Sequence, residues 1–139
     1  MIKYKILSKY IKSIKFSIPN PNIFYSLVKD ISNYKINIDI KSNQFKEKLV
    51  EVETSLKLKP KNESTEKIDT EIIVSAVIEL GGDISNKKEL EEIILIKVPG
   101  EIYPEVRKTF IFLFESSGFK DIKIDKDVDF RKLYKQKFN

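Results

Sequence analysis

The sequence contains no cysteine and no histidine in its 139 residues. Without cysteine there are no disulfides or thiolate nucleophiles, and without either residue the usual zinc sites and all imidazole mechanisms are excluded. A glycine-rich phosphate loop of the G-x-x-x-x-G-K kind is also missing, so the sequence shows no nucleotide site. We therefore expect a protein that is not an enzyme and has no catalytic residues, no cofactor and no metal.

Long apolar runs are scarce as well. No stretch approaches the roughly 20 apolar residues of a membrane span, and lysines interrupt the amino-terminal MIKYKILSKYIK, unlike the apolar region of a signal peptide. The length suits one domain with one core. We expect a single domain over residues 1–139, located in the cytoplasm and not inserted in a membrane. The lack of cysteine agrees with that reducing compartment.

The net charge of +5 comes from the two ends of the chain. Residues 1–15 carry five lysines and no acid, and residues 120–139 carry seven bases and four acids, whereas the middle carries 14 bases and 17 acids. Only Arg107 and Arg131 among the 26 bases are arginine. This composition is typical of an A/T-rich coding sequence rather than of selected phosphate contacts, so the charge does not favour a nucleic-acid partner.

Alternation of apolar and polar residues predicts four strands that each have one water-facing side. The first lies in SIKFSI and the second in KINIDIK. The third lies in LVEVETSLKLK. The fourth, IDTEIIVSAVIEL, follows a polar hairpin connection, PKNESTEK, and ends at a glycine pair. We expect the strands to be antiparallel.

Three helices are predicted after the sheet, over residues 87–97, 104–117 and 130–137. The PG pair at 99 and 100 separates the first two. Pro104 suits the first position of the second helix, because its missing N–H costs nothing there, and Gly118 suits the position just past the end. Four strands followed by helices predict an α+β fold in which helices cover the apolar face of the sheet.

The second predicted helix contains FIFLF, residues 110–114. At 100° per residue these five side chains point all the way round the helix, whereas a helix on a sheet needs only one apolar stripe. We therefore expect a surface other than the chain's own sheet to cover the second side.

The connection between the first two strands, residues 19–34, is longer than a hairpin requires. It is also apolar, so it must pack on something, either as a crossover beneath the sheet or as the wall of a binding groove. Its apolar residues are Ile23, Phe24, Tyr25, Leu27, Val28, Ile31 and Tyr34.

Short segments in order along nearly the whole chain resemble the SecB family of export chaperones. YIKSIKFSIPNPN, residues 10–22, resembles the first strand of that family and its exit into a crossover. PGEIYPEVR, residues 99–107, resembles the start of its long second helix, and GF at 118–119 resembles the end of that helix. VDFRKLY, residues 128–134, is similar to the beginning of its last helix, and the glycine pair at 81–82 to the end of its final strand.

The resemblance implies a four-stranded antiparallel sheet with a crossover between strands 1 and 2 and helices packed on one face. It also implies a homotetramer, a dimer of dimers in which helices and first strands form the subunit contacts. Neighbouring subunits and a client groove would then cover the second side of FIFLF.

The function that the resemblance implies is that of an ATP-independent holdase, which binds unfolded polypeptide or preprotein clients and keeps them competent for export through the motor SecA. We expect the client groove to be lined by apolar residues of the crossover and the long helix. These are Ile23, Phe24, Tyr25, Leu27, Val28, Val106, Phe110 and Phe114.

Several positions depart from the family pattern. Ser13 and Ser17 fall where the first strand would carry two acids that contact SecA, and Val77 falls where the last strand would carry another. Asp127 replaces a proline, and the sequence ends in KQKFN rather than in an acidic tail. These departures weaken the expected SecA contact more than client binding. They leave open a SecB-like chaperone dedicated to one client, such as an antitoxin.

A different class also stays open, a small basic β-rich protein that binds RNA or single-stranded DNA. Tyr4 and Tyr10 would stack on bases beside the amino-terminal lysines. The RRM fingerprint is missing, and lysines on a strand commonly prevent edge-to-edge aggregation, so we expect this to be the weaker alternative. The lysines are Lys3, Lys5, Lys9, Lys12 and Lys15.

Overall fold

The computed structural model describes residues 1–30, 34–60, 68–119, 122 and 124–138. Its strands are β1 (Ile2–Ser17), β2 (Tyr34–Lys46), β3 (Leu49–Pro60) and β4 (Asp69–Gly82). Its helices are α1 (Pro21–Asp30), α2 (Lys87–Glu92), α3 (Val98–Ser116) and α4 (Phe130–Phe138), and a π-helical turn, Ile93–Lys97, joins α2 to α3. The predicted hairpin connection, from residue 61 onward, and Ile31 of the crossover lie outside the described residues.

The four strands form one antiparallel sheet in the order β1-β4-β3-β2. The chain leaves β1 at one edge and returns as β2 at the opposite edge, so the connection between them crosses the sheet. The predicted α+β fold with its crossover is therefore confirmed. The crossover contains α1, a helix that the sequence analysis did not predict. It begins at Pro21, and Asn20 Oδ1 accepts a hydrogen bond of 2.9 Å from the Ile23 N–H, which satisfies one of the free donors at the helix start.

One face of the sheet forms the core. On β4, every second residue from Thr70 to Leu80 is buried, and α3 contacts β3 and β4 on this face. Phe110 and Phe114 of α3 are fully buried there. The helices thus pack on the apolar face of the sheet, as predicted.

β1 is longer than the six residues predicted for it, because two irregularities hide its alternation. Its pairing with β4 shifts register at Leu7 and again at Lys12. Each extra residue reverses which side chains face the core. Tyr4, which pairs with buried Leu80, therefore lies on the core side, whereas Tyr10, six residues later, lies on the outer face of the sheet.

The predicted separation of two helices at Pro99 and Gly100 is wrong. The chain stays helical from Lys87 to Ser116, and Pro104 lies inside α3 instead of beginning it. The N–H of Val98 donates to the Ile93 carbonyl, five residues back, so the wider π-helical turn takes up the misfit just before the first proline.

The helix tolerates Pro104, the second proline, because the neighbouring side chains are buried. An interior proline costs a helix about 3 kcal/mol. Ile102, Tyr103 and Val106 surround Pro104 and are all buried, and each contributes roughly 1.5 to 3 kcal/mol of apolar burial. Tertiary packing therefore outweighs the local preference to end the helix.

α4 matches the predicted last helix closely. Phe130 is buried, and Leu133 and Tyr134 are half-buried on the same side of the helix. The Tyr134 hydroxyl donates to Glu91 Oε2 at 2.6 Å, and Arg131 pairs with Glu92, so α4 is held against α2. Among the described residues, no helix is long and apolar enough to cross a membrane.

Candidate functional site

A cluster of aromatic rings connects α1 to the end of α3. The ring centroid of Phe24 on α1 lies 5.1 Å from that of Phe119, and the Phe119 centroid lies 5.5 Å from that of Phe114. Phe114 in turn contacts Phe110 at 5.0 Å and Phe16 of β1 at 4.9 Å. The cluster fixes the crossover helix against α3, as expected from the apolar character of both segments.

Gly118 makes this contact between α1 and α3 sterically possible. Its φ of +98° is a conformation that side chains disfavour, and a Cβ added there would lie 3.3 Å from the end of the Phe24 ring. The position just past α3 therefore requires glycine both to reverse the chain and to admit the ring of Phe24.

The eight predicted groove residues fall into three groups by exposure. Tyr25 and Val28 are exposed on α1, with exposed fractions of 65% and 45%. The others pack inward to different degrees, so the groove assignment stays a prediction. The half-buried residues are Ile23 and Phe24, and the buried ones are Leu27, Val106, Phe110 and Phe114.

An open cleft of about 430 Å³ lies elsewhere, beside the edge strand β2. We call it the β2 cleft. Its floor is Tyr103 of α3, and its walls come from β2, from the segment 124–129 and from α4. Its apolar lining consists of Ile36, Ile38, Tyr103, Ile124, Val128 and Leu133.

The sequence analysis missed the β2 cleft. A signal existed, since the DIKIDKDV segment alternates apolar and charged residues like a half-buried strand. The rim of the cleft carries Asp125, Asp127 and Asp129 together with Lys132, so apolar lining is bordered mainly by negative charge. Such a surface can bury an apolar side chain of an extended peptide while its backbone stays in water.

Two side chains of α3 hold the wall of the β2 cleft. The Tyr103 hydroxyl donates to the Asp125 carbonyl at 2.5 Å, and Arg107 Nε donates to the Ile124 carbonyl at 3.0 Å. The ring of Phe130 lies 5.9 Å from that of Tyr103 and anchors the other end of the wall. Burial raises the pKa of Tyr103, so its hydroxyl stays protonated and remains a donor at neutral pH.

A second cleft, of about 520 Å³, lies between β1 and α3. We call it the β1 cleft. A salt bridge of 2.7 Å joins Lys9 Nζ to Glu105 Oε1 beside it. Ile11 and Phe112, which line it, are 50% and 65% exposed, and neighbouring Ile14 is 44% exposed. Because β1 is an edge strand, unpaired backbone groups adjoin this apolar surface.

The outer face of the sheet carries a polar network centred on Glu51 of β3. Tyr10 and Ser75 donate to its Oε2 at 2.7 and 2.8 Å, and Lys12 Nζ lies 3.1 Å from Oε1 and 2.8 Å from Glu53. Small Ser75 on the intervening β4 lets Tyr10 and Lys12 reach across to β3. The hydrogen bond from Tyr10 is the main cause that lowers the pKa of Glu51, and the hydrogen bonds to Glu53 and Glu51 raise the pKa of Lys12.

This network also bears on the nucleic-acid alternative. Tyr10 and Lys12 are occupied by carboxylates, and Lys9 is paired with Glu105 on the other side of the sheet. Tyr4, on the core side, donates to Glu101 at 3.3 Å. The two tyrosines of β1 therefore lie on opposite faces of the sheet and do not form one surface on which bases could stack.

One antiparallel sheet with a crossover between its edge strands and helices on one face is the fold of SecB-like chaperones. The structure matches a SecB-like chaperone of Mycobacterium tuberculosis, solved in complex with a peptide from an antitoxin, with a TM-score of 0.65. The match covers 90% of this chain and 88% of that one at 12% sequence identity, so it shows the fold alone.

The chain belongs to the SecB family. The family model described as "Preprotein translocase subunit SecB" matches residues 1–139. A putative protein-export protein SecB of Pelagibacter ubique (strain HTCC1062) is 38% identical over 136 residues, which are 98% of this chain and 97% of that protein. Protein-export protein SecB of Ehrlichia ruminantium (strain Gardel) is 26% identical over 152 residues, with 95% and 87% covered. The resemblance found in short segments is thereby confirmed.

Proposed function

We propose that this protein is an ATP-independent holdase of the cytoplasm, acting as one domain over residues 1–139, that binds unfolded preproteins and keeps them competent for export. The observation that carries the proposal is the β2 cleft, an open cleft with apolar side chains in its lining and acidic residues at its rim, on a chain of the SecB family. Relatives along nearly the full length of the chain bear the name of protein-export proteins. Holding a client is binding without chemistry, so no catalytic residue, cofactor or metal is needed.

Apolar burial can supply this activity by itself. Each well-buried apolar side chain of a client contributes roughly 1.5 to 3 kcal/mol before ordering costs, so a few anchors support micromolar binding. Burial is not directional, and many client sequences can therefore satisfy it. Several clefts on one oligomer raise the apparent affinity further.

We propose that clients contact two surfaces of each subunit. One is the exposed side of α1, with Tyr25 and Val28 at its surface and the half-buried Ile23 and Phe24 beside them. The other is the β2 cleft. The predicted residues of α3 that are fully buried would support the first surface from beneath.

We propose that the protein assembles as a homotetramer, a dimer of dimers. The exposed edge of β1 and the exposed apolar residues of the β1 cleft support this assembly, because a second copy would pair with the edge and cover Phe112. Such a contact would also supply the second surface that FIFLF requires.

The outer face of the sheet bears on which partner receives the client. Ser13, Ser17 and Val77 lie on the outer face of the sheet, where the resemblance implies acids for SecA, and Lys12 neutralises Glu51 and Glu53 nearby. We therefore propose client binding as the main activity and delivery to SecA as secondary. A chaperone dedicated to one antitoxin is the second candidate, favoured by the structural match to a SecB-like chaperone that holds an antitoxin peptide.

The proposed function can be tested with purified protein and no nucleotide. We expect it to suppress aggregation of a chemically unfolded, slowly folding client at a near-stoichiometric ratio and to elute with that client in moderate salt. A shared elution that disappears in moderate salt, together with binding to single-stranded DNA at low salt, would favour the nucleic-acid alternative. Absence of suppression would contradict the holdase proposal.

A further inference from the structure

We propose that Tyr103 and Arg107 are positioning residues for client binding, which hold the backbone of Ile124 and Asp125 as the outer wall of the β2 cleft. This inference rests on the proposed holdase function and deepens it. It assigns to α3 a role in shaping the client site through hydrogen bonds, in addition to the apolar surface that the helix supplies.

The two donors act together because of their spacing. Tyr103 and Arg107 are four residues apart on α3 and so lie on the same side of the helix, one turn from each other. They donate to the carbonyls of consecutive residues, Asp125 at 2.5 Å and Ile124 at 3.0 Å. A single turn of helix therefore holds two consecutive peptide units of the wall.

The wall depends on these contacts because it has no regular secondary structure of its own. The described residues from 124 to 129 form neither helix nor strand. Buried Ile124 anchors one end, and buried Phe130, against the Tyr103 ring, anchors the other. Val128 lines the cleft between these anchors. Loss of either donor frees the Ile124 end of the wall, so the cleft widens and the apolar contact with a client side chain weakens.

The residue types suit this task. Tyr103 is 3% exposed, so its hydroxyl has little access to competing water. The Nε–H of Arg107 lies in a rigid planar group and donates in one fixed direction, whereas a lysine ammonium is a point charge on a flexible stem. Arg107→Lys therefore keeps the positive charge beside the acidic rim and removes the directed donor.

The test measures the affinity for a permanently unfolded probe, a reduced and carboxymethylated globular protein labelled with fluorescein. We expect Arg107→Lys and Tyr103→Phe each to raise the Kd about three- to tenfold, which corresponds to one net hydrogen bond of typical strength. Arg131→Lys is the matched control. Arg131 lies outside the described lining of the β2 cleft, and a lysine there can keep the ion pair with Glu92 that holds α4 against α2, so the Kd should stay unchanged.

A double-mutant cycle separates positioning from a general structural role. In a Val128→Ser background the apolar wall is already damaged, so Arg107→Lys should have little further effect on the Kd. Tyr25 lies on α1, away from this wall. In a Tyr25→Ser background, Arg107→Lys should therefore raise the Kd by the same factor as in the wild-type protein. The same cycle is repeated with Tyr103→Phe, which removes only the hydroxyl and keeps the ring.

Two results would overturn the proposal while the holdase function stands. These are equal losses of affinity in both backgrounds, or no loss in either variant although the wild-type protein binds the probe. A wild-type protein that does not bind the probe at all would overturn the holdase function and this inference with it.

Discussion

At the scale of single residues, two buried threonines weaken the core face of the sheet. Thr54 and Thr70 are 1% and 0% exposed, and within the described residues their Oγ1 atoms have no hydrogen-bond partner. A buried hydroxyl without a partner costs about 1 to 3 kcal/mol, whereas a methyl group of similar size at that position costs nothing. The core is therefore less stable than its apolar content suggests.

We predict that Thr54→Val raises the free energy of unfolding by about 1 kcal/mol, because it replaces the unpaired hydroxyl with an apolar group of similar shape. Urea unfolding followed by circular dichroism measures the change. Thr109→Val serves as the control, since the Thr109 hydroxyl donates to the Glu105 carbonyl at 3.0 Å and its removal should bring no gain. A loss of stability at position 54 would mean that its hydroxyl is satisfied in solution.

The two glycines of the α3 region should respond to alanine in opposite directions. We predict that Gly118→Ala lowers the free energy of unfolding by about 1 to 3 kcal/mol, because φ is +98° there and the new Cβ meets the Phe24 ring. Gly100 lies inside α3, and a Cβ added there would be in ordinary contact with the Phe130 ring, at 4.0 Å. Gly100→Ala should therefore raise the free energy of unfolding by about 0.5 to 1 kcal/mol. Unfolding of both variants under identical conditions tests this, and the same sign at both positions would contradict it.

At the scale of elements, regular alternation was sufficient to predict β3 and β4, and the first half of β2, which continues to Lys46. β1 was predicted only at its end, because the extra residues Leu7 and Lys12 interrupt the pattern over its first eleven residues. The helix boundary at Pro99 was predicted wrongly for a different reason. Local preferences can be read from a sequence, but the burial of Tyr103 and its neighbours, which overrides them, depends on a sheet formed by residues far away along the chain.

α1 supplies the prediction that tests the client surface of the crossover. Tyr25 and Val28 are exposed, so Tyr25→Ser together with Val28→Ser should weaken client binding severalfold while the melting temperature stays within about 2 °C. Titration of a labelled unfolded client and thermal unfolding provide the two measurements. Leu27→Ser is the contrasting variant, since Leu27 is 1% exposed and its loss should lower the melting temperature. Unchanged client affinity in the double variant would remove α1 from the client surface.

The strand network around Glu51 supplies a prediction about pH. Hydrogen bonds from Tyr10 first, then Ser75 and Lys12, lower the pKa of Glu51 from its ordinary value of 4.5. A carboxyl with a lowered folded-state pKa contributes stability above its unfolded-state pKa and loses it as the pH falls through the folded-state pKa.

We therefore expect Glu51→Gln to be less stable than the wild-type protein at pH 7, with a difference that shrinks as the pH falls below the ordinary value of 4.5. Urea unfolding at a series of pH values measures it. Tyr10→Phe removes the largest cause of the shift, so the pH dependence contributed by Glu51 should be weaker in that background. A difference that stays constant with pH would show that the network does not perturb this carboxyl.

At the scale of the whole molecule, the candidate site was harder to predict than the fold. The apolar residues of the crossover and of FIFLF are visible in the sequence, but which of them are buried depends on packing between α1, α3 and β1. The β2 cleft is assembled from β2, α3, the segment 124–129 and α4, and no single stretch carries its signature. Phe112 is another residue whose exposure depends on this packing. The sequence indicates surplus apolar surface on the helix, and the structure identifies the side chain that remains exposed.

That exposed side chain gives the prediction for assembly. A phenylalanine that is 65% exposed, beside the half-exposed Ile11 and the edge of β1, contributes little to the stability of one subunit and much to a contact between two. We predict that Phe112→Ser dissociates the proposed tetramer into smaller species at micromolar concentration without unfolding the subunit. Analytical ultracentrifugation measures the mass, and circular dichroism checks the fold.

Phe45→Ser is the matched control for this assembly, because Phe45 is 46% exposed on β2, at the opposite edge of the sheet, and its loss should leave the mass unchanged. If both variants kept the wild-type mass, the subunit contact would not involve the β1 cleft. If the wild-type protein sedimented only as a 16.3 kDa monomer, apolar surface at β1 would be available to clients instead, and Phe112→Ser should then lower client affinity. Mass and affinity measured on the same three proteins therefore decide whether this surface serves assembly or client binding.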